Sequence, residues 1–436
     1  MSFLEQHLNE THKRYININD DRQAYTAHYN VLRNIIYKEL KKVEPFNQWL
    51  NGHKLGGSYG DNLKITSPDE FDLYIYLKFP ENDRIIVKKD PRRPGNVFLD
   101  MTEVLRILQT QNHHIVSYTH LKKLITEKNL LLEDKLQALF MSVFTRALNN
   151  IENKITVDGM HTSVIYRRCG PAHTMYIDAN NIKYSVDFVP AIKLNASQNI
   201  LGAEELKYFT GITSWDAIPK PLKPSEPNNV SFRASYYDAE FVLLKDKYRL
   251  KDVIRFMKKF RYNKTNMHNL KSYFIKTILL WQVIQKPSSY WYTSQLKDVL
   301  IDMLRELKKC LAVSGRNGKL LFFWDPKLDL IATLTNNQRF DMFNCVTSVI
   351  YSLERADGNM TEDIDNLIRF TFNTPTAVRV SPIEDPPEYV RDRPLVARQI
   401  QEEESSSNAA LIGLGVVVAG VAAIGLFSAY SRSRNN

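Results

Sequence analysis

A strictly alternating segment near the N-terminus constrains the fold more than any other feature. In "EFDLYIYLKF", residues 70–79, an apolar side chain occupies every second position, which is the period of a β-strand with one buried face. The apolar positions are Phe71, Leu73, Ile75, Leu77 and Phe79. The same period places Glu70 and Asp72 together on the opposite face. These two carboxylates are either ligands of a metal site or the polar side of an edge strand.

A second strand of the same kind is predicted in "IKYSVDFVPAI", residues 182–192. Its apolar side chains share one face, and Asp187 lies on the other. If this strand neighbours the first one in a sheet, Glu70, Asp72 and Asp187 converge from positions far apart in the chain. The periodicity alone does not establish that the two strands are neighbours.

The composition excludes several classes of protein. Of the 436 residues, 44% are hydrophobic, which argues against a disordered chain. The three cysteines, Cys169, Cys310 and Cys345, are widely spaced, so neither a disulfide framework nor a CxxC zinc site is predicted. The net charge of +10 either attracts polyanions such as nucleic acid or only keeps the protein soluble.

The residue pattern changes along the chain and divides it into five segments. An amphipathic helix over about 22–43 precedes the strands, and helical periodicity dominates after about 235. The predicted segments are a strand-rich lobe at 1–215, a helical lobe at 216–370, a proline-, acid- and serine-rich linker at 371–408, an apolar segment at 409–430 and a short tail at 431–436. The predicted fold class is therefore α+β, with a mixed sheet, an N-terminal spine helix and an all-helical second lobe.

The apolar segment "AALIGLGVVVAGVAAIGLFSAY", residues 409–430, contains no charged side chain. It is long enough to cross the hydrocarbon core of a membrane as a helix. The N-terminus "MSFLEQHLNETHKRY" lacks the apolar core of a secretory signal. We therefore expect a single-pass tail anchor that holds the protein on the cytoplasmic face of a membrane, either the mitochondrial outer membrane or the endoplasmic reticulum.

Carboxylates on neighbouring strands suit magnesium or manganese, which bind oxygen ligands and are often held by a few carboxylates together with substrate phosphates. Two such ions activate an attacking hydroxyl and neutralise a leaving pyrophosphate. The preceding "GGS", residues 56–58, offers backbone N–H groups without side-chain obstruction and a hydroxyl donor, as a triphosphate requires. A phosphoryl-transfer site with two Mg²⁺ or Mn²⁺ ions is therefore predicted.

Several motifs together resemble a known family. "GGSYGDNLKITSPDEFDLYIYL" and "YSVDFVPAI" are similar to the signature of the cyclic GMP-AMP synthase-like receptors, nucleotidyltransferases of the Mab-21 superfamily. The resemblance continues in "SFRASYYDAEFVLL", "VIRFMKKF" and "LKSYFIKT", in the expected order over about 20–370. It implies that the lobe at 1–215 is a nucleotidyltransferase lobe that makes a cyclic dinucleotide from ATP and GTP.

The resemblance also implies residue roles. Glu70, Asp72 and Asp187 would be catalytic. Glu70 and Asp72 would bind both metals, and Asp187 would complete the metal site and help to activate the attacking hydroxyl. Gly57 and Ser58 would hold the donor triphosphate. The further nucleotide contacts that it implies are Arg233, Ser235, Glu240, Lys258, Ser272 and Tyr273. A tyrosine flanked by lysines suits base stacking and phosphate binding on its own account, although a core aromatic on a helix explains Tyr273 equally simply.

The chain departs from the vertebrate enzyme of this family in two places. It lacks a histidine and cysteine cluster, so no zinc is expected, and the branch that senses double-stranded RNA is the closer relative. Val189 stands where that enzyme has a threonine that touches a base, which leaves the purines and linkages open. The basic residues predicted to bind RNA are Arg33, Lys38, Lys41, Lys42, Lys88, Lys89, Arg92, Arg93, Lys258, Lys259 and Arg261. Such residues are otherwise simply solvated.

The leading hypothesis is an RNA-activated nucleotidyltransferase of innate immune sensing that produces a cyclic dinucleotide similar to cyclic GMP-AMP. One alternative is a catalytically silent, membrane-tethered relative that acts as a binding or developmental protein. A linear oligonucleotide synthase is a third reading, since it would use the same metal site. The expected partners are ATP and GTP, double-stranded RNA and a membrane, and a homodimer is left open.

Overall fold

The computed structural model describes residues 2–16, 19–65, 67–157, 159–179, 182–313, 318–358 and 364–372. Its α-helices are Phe3–Thr11 (α1), Asn19–Leu40 (α2), Phe46–Trp49 (α3), Gly57–Gly60 (α4), Thr102–Leu108 (α5), Ile115–Lys122 (α6), Glu133–Asn150 (α7), Ala203–Leu206 (α8), Tyr237–Leu244 (α9), Tyr248–Asn263 (α10), Ser272–Gln285 (α11), Tyr290–Thr293 (α12), Leu296–Leu311 (α13), Asn336–Gly358 (α14) and Ile364–Phe372 (α15). A π-helical turn at His12–Ile16 follows α1. Short 3₁₀ turns lie at Asn82–Arg84, Asn112–His114, Ala196–Gln198, Lys207–Phe209 and Thr265–Met267.

The strands of the main sheet are Leu50–Gly56 (β1), Glu70–Leu77 (β2), Ile86–Lys89 (β3), Asn96–Asp100 (β4), Lys154–Val157 (β5), Met160–Cys169 (β6), Ala172–Ala179 (β7), Ile182–Asn195 (β8), Ser214–Ile218 (β9) and Phe232–Ser235 (β10). Their order is β3-β4-β10-β9-β8-β7-β6-β5, and β2 joins β8 and carries β1 on its other side. The pairing of β2 with β8 is parallel, whereas β8 pairs with β7 and β9 in antiparallel fashion. The predicted mixed sheet is therefore confirmed.

Strand β8 is the centre of the sheet because it pairs with three other strands, β2, β7 and β9. The predicted alternation of both central strands is visible in their burial: Phe71, Leu73 and Val186 are buried, while Asp72 and Asp187 are partly exposed on the opposite face. Since β2 has hydrogen-bonded neighbours on both sides, it is not an edge strand.

Helix α2 covers the apolar face of the two central strands. Its buried positions follow the helical period and include Leu32, Ile36 and Leu40. Tyr29 of the same helix stacks on Phe71 with ring centroids 4.3 Å apart. The ring of Phe71 also meets Tyr184 edge to face. The early amphipathic helix that the sequence predicts is thus the spine against which the two central strands pack.

The second lobe is built mainly of helices α10, α11, α13 and α14, as the helical periodicity predicts. The predicted range 216–370 is not all-helical, because β10 and the end of β9 belong to the main sheet. The range also contains a two-stranded sheet of Leu321–Phe322 (β11) and Asp325–Asp329 (β12). The Asp329 carboxylate accepts hydrogen bonds from the backbone N–H groups of Leu320 and Ile331 and so closes this hairpin. A strand of two residues is too short to produce a recognisable period, which explains why the sequence did not predict it.

The prediction of a membrane-spanning C-terminal helix is corrected. None of the helices among the described residues has the length and apolar character needed to cross a membrane. The segment at 409–430 and the linker before it lie outside the described residues. The tail anchor and the membrane location inferred from it are therefore not carried further.

The stacking of Phe71 predicts a large effect of its removal. Phe71→Ala should lower the free energy of unfolding by about 3–5 kcal/mol, because it leaves a cavity between the spine helix and β2. Urea denaturation followed by circular dichroism measures this change. Phe340→Ala is the matched control, since Phe340 is 57% exposed and its loss should change stability by less than about 0.5 kcal/mol. Equal effects of the two substitutions would contradict the packing described for Phe71.

Candidate active site

The parallel register of β2 and β8 brings two of the predicted carboxylates together. Asp72 lies directly opposite Asp187, and Glu70 lies opposite Ser185. All three carboxylates are on the sheet face turned away from the spine helix. On the other side of β8, Thr174 of β7 is the register partner of Asp187 and donates a hydrogen bond of 2.6 Å to its Oδ1 atom. Asp187 is thus held in place from both neighbouring strands.

The carboxylates repel one another. Burial raises the pKa of Asp72 to about 7, and the negative charges of Glu70 and Asp187 add to this shift. Glu70 turns toward Lys64, whose Nζ atom lies 3.2 Å from Glu70 and 2.8 Å from Asp69. Burial alone would lower the pKa of Lys64, but these two acidic neighbours raise it above its usual value. The site therefore carries a local excess of negative charge that Lys64 compensates only in part.

A divalent cation fits this donor set, although the ligands are not gathered into a closed cage. Among the described residues, no three histidine, cysteine or acidic side chains are close enough together to enclose a metal ion. The donors are hard carboxylate oxygens, and two of them belong to directly opposed residues. Mg²⁺ is commonly bound by one or two carboxylates, with substrate phosphates and waters completing the octahedron. The arrangement thus suits a metal that arrives with a phosphorylated substrate.

The glycine turn is packed tightly against this pair. Gly57 has φ of +56°, and a Cβ atom on it would lie only 1.7 Å from Oδ2 of Asp72. Any other residue at this position would strike the carboxylate and adopt an unfavourable backbone conformation. Gly57 opens the short helix α4, and the next residue is Ser58. The backbone of Gly57 therefore lies directly beside the Asp72 carboxylate, and the Ser58 hydroxyl belongs to the next residue.

Helix α10 supplies a lysine to the same turn. The Nζ atom of Lys258 donates hydrogen bonds to Oγ of Ser58 at 2.8 Å and to the carbonyl of Leu63 at 2.7 Å. Burial lowers the pKa of Lys258 to about 7, and the nearby Lys64 and Arg261 charges add to this effect. A phosphate group bound here would restore the charged form of the lysine, because it supplies the missing counter-charge.

The predicted nucleotide contacts Glu240 and Tyr273 form part of a buried network in this structure. The Tyr273 hydroxyl donates to Glu240 at 2.6 Å, and Trp324 Nε1 donates to the same carboxylate oxygen at 3.1 Å. Lys276 bridges Glu240 at 2.9 Å and Asp61 at 2.8 Å. Burial opposes the charge of Lys276, yet the two acids raise its pKa above the usual value. Glu240 is thus occupied by contacts with Tyr273, Trp324 and Lys276 in this structure. Tyr273 is a partly buried residue.

The remaining predicted nucleotide contacts lie at two other positions. Arg233 and Ser235 are on β10, on the same sheet face as the carboxylates by the strand register. Ser272 opens α11 and accepts a hydrogen bond of 2.9 Å from Arg261. Burial lowers the pKa of Arg261, while the negative charge of Glu70 opposes this shift, which places Arg261 beside the site. Arg261 is therefore a further cation at the site.

The basic residues predicted to bind RNA divide into three groups. The exposed ones are Lys38, Lys41, Lys42, Lys88, Lys89 and Arg92. Arg33, Arg93 and Arg261 are partly buried. Lys258 and Lys259 are 6% and 7% exposed, so neither offers its charge to a surface ligand in this conformation. Among the predicted RNA-binding residues, the exposed ones therefore lie at the C-terminal end of α2 and just after it, and in the segment around β3.

Sequence reasoning missed several residues of this site. Lys64 is six positions before Glu70, and its charge next to the acidic run was the only signal available. Thr174 and Asp61 gave no signal, because their roles follow from strand register and from contact with a distant helix. Lys276 is one of the lysines that flank Tyr273 in the sequence, which gives no sign of its ion pairs with Glu240 and Asp61.

Comparison with known proteins gives consistent matches along the chain. The family model for the Mab-21 protein nucleotidyltransferase domain matches residues 59–246, and the model for the Mab-21 protein HhH/H2TH-like domain matches residues 249–348. Cyclic GMP-AMP synthase-like receptor 1 of Drosophila erecta is 47% identical, over 85% of this chain and 82% of the relative. Receptor 1 of Drosophila melanogaster is 46% identical over 86% and 99%. The receptor of Lucilia cuprina is 43% identical over 80% and 91%.

The raised pKa of Asp72 predicts a pH dependence of stability. Between the ordinary carboxyl pKa and about 7 the folded protein binds more protons than the unfolded chain, so this group lowers stability as pH rises through that window. In EDTA, Asp72→Asn should therefore gain stability relative to the wild type from pH 5 to pH 7 and keep the gain at pH 8. Urea denaturation at these pH values measures the difference.

The exposed Asp178 provides the control, because its side chain is 66% exposed and, among the described residues, its ion pair is with Lys183. Asp178→Asn should show no such trend, as surface ion pairs contribute little. A stability difference between wild type and Asp72→Asn that does not change with pH would contradict the repulsion described for the carboxylates.

Proposed function

Because the chain belongs to the cyclic GMP-AMP synthase-like receptors, a family of Mab-21 nucleotidyltransferases, we propose that this nucleotidyltransferase joins ATP and GTP into a cyclic dinucleotide signal of innate immune sensing. The single observation that carries the proposal is the register of β2 and β8, which sets Asp72 opposite Asp187 beside the Gly57–Ser58 turn. Each of these residues matches the corresponding position of the family signature. The catalytic residues are therefore proposed to be Glu70, Asp72 and Asp187.

The residues of the chain divide the work as follows. Ser58 and Lys258 hold the donor triphosphate, since they are already hydrogen-bonded to each other beside Asp72. Glu70, Asp72 and Asp187 would hold two Mg²⁺ or Mn²⁺ ions, and in this structure Glu70 pairs with Lys64. When bound, such ions lower the pKa of an attacking hydroxyl and neutralise the leaving pyrophosphate. Thr174 keeps Asp187 oriented, and Asp187 assists deprotonation of the attacking hydroxyl.

A catalytically silent relative is the alternative from another class. The presence of all three carboxylates, the serine and Lys258 in one site argues against it, because a silent protein does not require this combination. A linear oligonucleotide synthase would share the whole metal site and would differ only in how the acceptor is handled. Product analysis separates these three functions.

The test of catalysis uses the full chain with labelled ATP and GTP, Mg²⁺ or Mn²⁺, and double-stranded RNA or DNA. We expect a phosphatase-resistant product with the mass of a cyclic dinucleotide. Glu70→Ala together with Asp72→Ala should reduce synthesis by about 100-fold or more, in line with the loss of electrostatic transition-state stabilisation. Asp178→Ala should retain it. Synthesis that survives the double substitution would refute the proposed site, and absence of product with every ligand would favour the silent relative.

Double-stranded RNA is the proposed activator, and Lys38, Lys41 and Lys42 of the α2 region are the cations that test it. A-form RNA is bound through phosphate and 2′-hydroxyl contacts, for which exposed lysines suffice. Changing all three to glutamate should weaken RNA binding and flatten its dependence on salt, because fewer counterions are released. Fluorescence anisotropy with a labelled duplex at several salt concentrations measures both. An unchanged salt dependence would exclude this surface.

A further inference from the structure

Beyond the metal site, the same sheet face carries a second group of polar and aromatic residues. The register continues along β8 and β9, where Lys193 is opposite Asp216, and on to β10, where Ser235 is opposite Asp216. We call this region the distal patch; it consists of Tyr74, Tyr76, Val189, Ile218, Asp216 and Ser235. Its apolar members form a small cluster separate from the main core.

The distal patch adjoins the metal site along β2. Tyr74 and Tyr76 follow Asp72 at two-residue steps, so Tyr76 lies about 13 Å beyond it along the strand. Their rings are nearly parallel, with centroids 6.5 Å apart. Burial raises the pKa of Tyr74, and both Asp72 and Asp216 add to this shift. Tyr74 is therefore close to both carboxylates, and the distal patch begins directly beside the metal site.

Asp216 is the unusual member of this patch. Asp216 is only 5% exposed, and among the described residues no hydrogen bond or ion pair joins its carboxylate, although the charges of Lys193 and Lys54 act on it from a longer distance. Lys193 Nζ instead lies over the ring of Tyr76, 4.4 Å from its centroid, and Lys54 pairs with Asp238 of α9. A buried carboxylate without a partner lowers stability, because its loss of hydration is not repaid. A ligand that donates hydrogen bonds would supply the missing partner.

The chemistry of the patch selects a particular base. Burial raises the pKa of Asp216 to about 7, and a ligand that donates hydrogen bonds favours its ionised form. An ionised carboxylate only accepts hydrogen bonds, and guanine presents two adjacent donors, N1–H and the N2 amine. Adenine presents a single amine beside an acceptor nitrogen, which a carboxylate repels. Arg233 on β10 suits the O6 and N7 acceptors on another edge of guanine. We propose that Asp216 is a specificity-determining residue that binds the N1–H and N2 amine of a guanine base in the distal patch.

This inference rests on the proposed function, since it assumes that nucleotides bind at the carboxylate site. Binding is therefore measured without turnover, by calorimetric titration of the full chain with GTP, ITP and ATP in Mg²⁺. ITP differs from GTP only in lacking the N2 amine. The wild type should bind GTP about 10- to 100-fold more tightly than ITP, the range expected for a bidentate pair with a base edge. Asp216→Asn should reduce this ratio to less than about threefold.

Asp178→Asn is the matched control and should keep the wild-type ratio. Asp216→Asn removes a buried charge, so it is expected to fold, and thermal denaturation verifies this; Asp216→Ser provides the same test if the asparagine variant unfolds. Equal affinity of the wild type for GTP and ITP, or an unchanged ratio in the Asp216 variants, would overturn the inference. Discrimination that depends on Asp216 without any synthesis would refute the proposed activity and leave the guanine site standing.

Discussion

The parallel pairing of β2 with β8 is the contact on which the rest of the site depends. Sequence separation between Asp72 and Asp187 exceeds one hundred residues, and only this register sets them opposite each other. A slip of β2 by one residue would turn Asp72 toward the spine helix and the apolar side chains of β2 toward the opposite face, while Asp187 of β8 would stay where it is. The buried rings of Phe71 and Tyr29 therefore do more than stabilise the lobe, because they determine which face of the sheet carries the carboxylates.

The site combines charges that the folded protein tolerates at a cost. Burial raises the pKa of Asp72 to about 7 and lowers the pKa of Lys258 to about 7. At neutral pH and without ligand, each side chain is therefore charged in only part of the molecules. The proposed magnesium or manganese nucleotide would bring positive charge to Asp72 and negative charge to Lys258. Ligand binding and charge formation at these residues are consequently coupled, which is typical of a site built for phosphates rather than for stability.

The sequence predicted the parts of the molecule that obey a simple period. The two central strands, the spine helix and the helical character of the chain after about 235 follow from alternation or helical spacing, and Glu70, Asp72 and Asp187 were found in this way. Residues whose role depends on a distant neighbour were not predictable: Thr174 acts through register, and Asp61 acts through a lysine on α11. The hairpin of β11 and β12 was too short to recognise.

The short helix α4 is fastened at both ends by the second lobe. Lys258 of α10 holds Ser58 and the carbonyl of Leu63, and Lys276 of α11 holds Asp61. The Gly57–Ser58 turn is thus tied by side-chain contacts to two helices that do not belong to its own lobe. A displacement of α10 or α11 relative to the sheet would therefore have to break these contacts or move the turn as well.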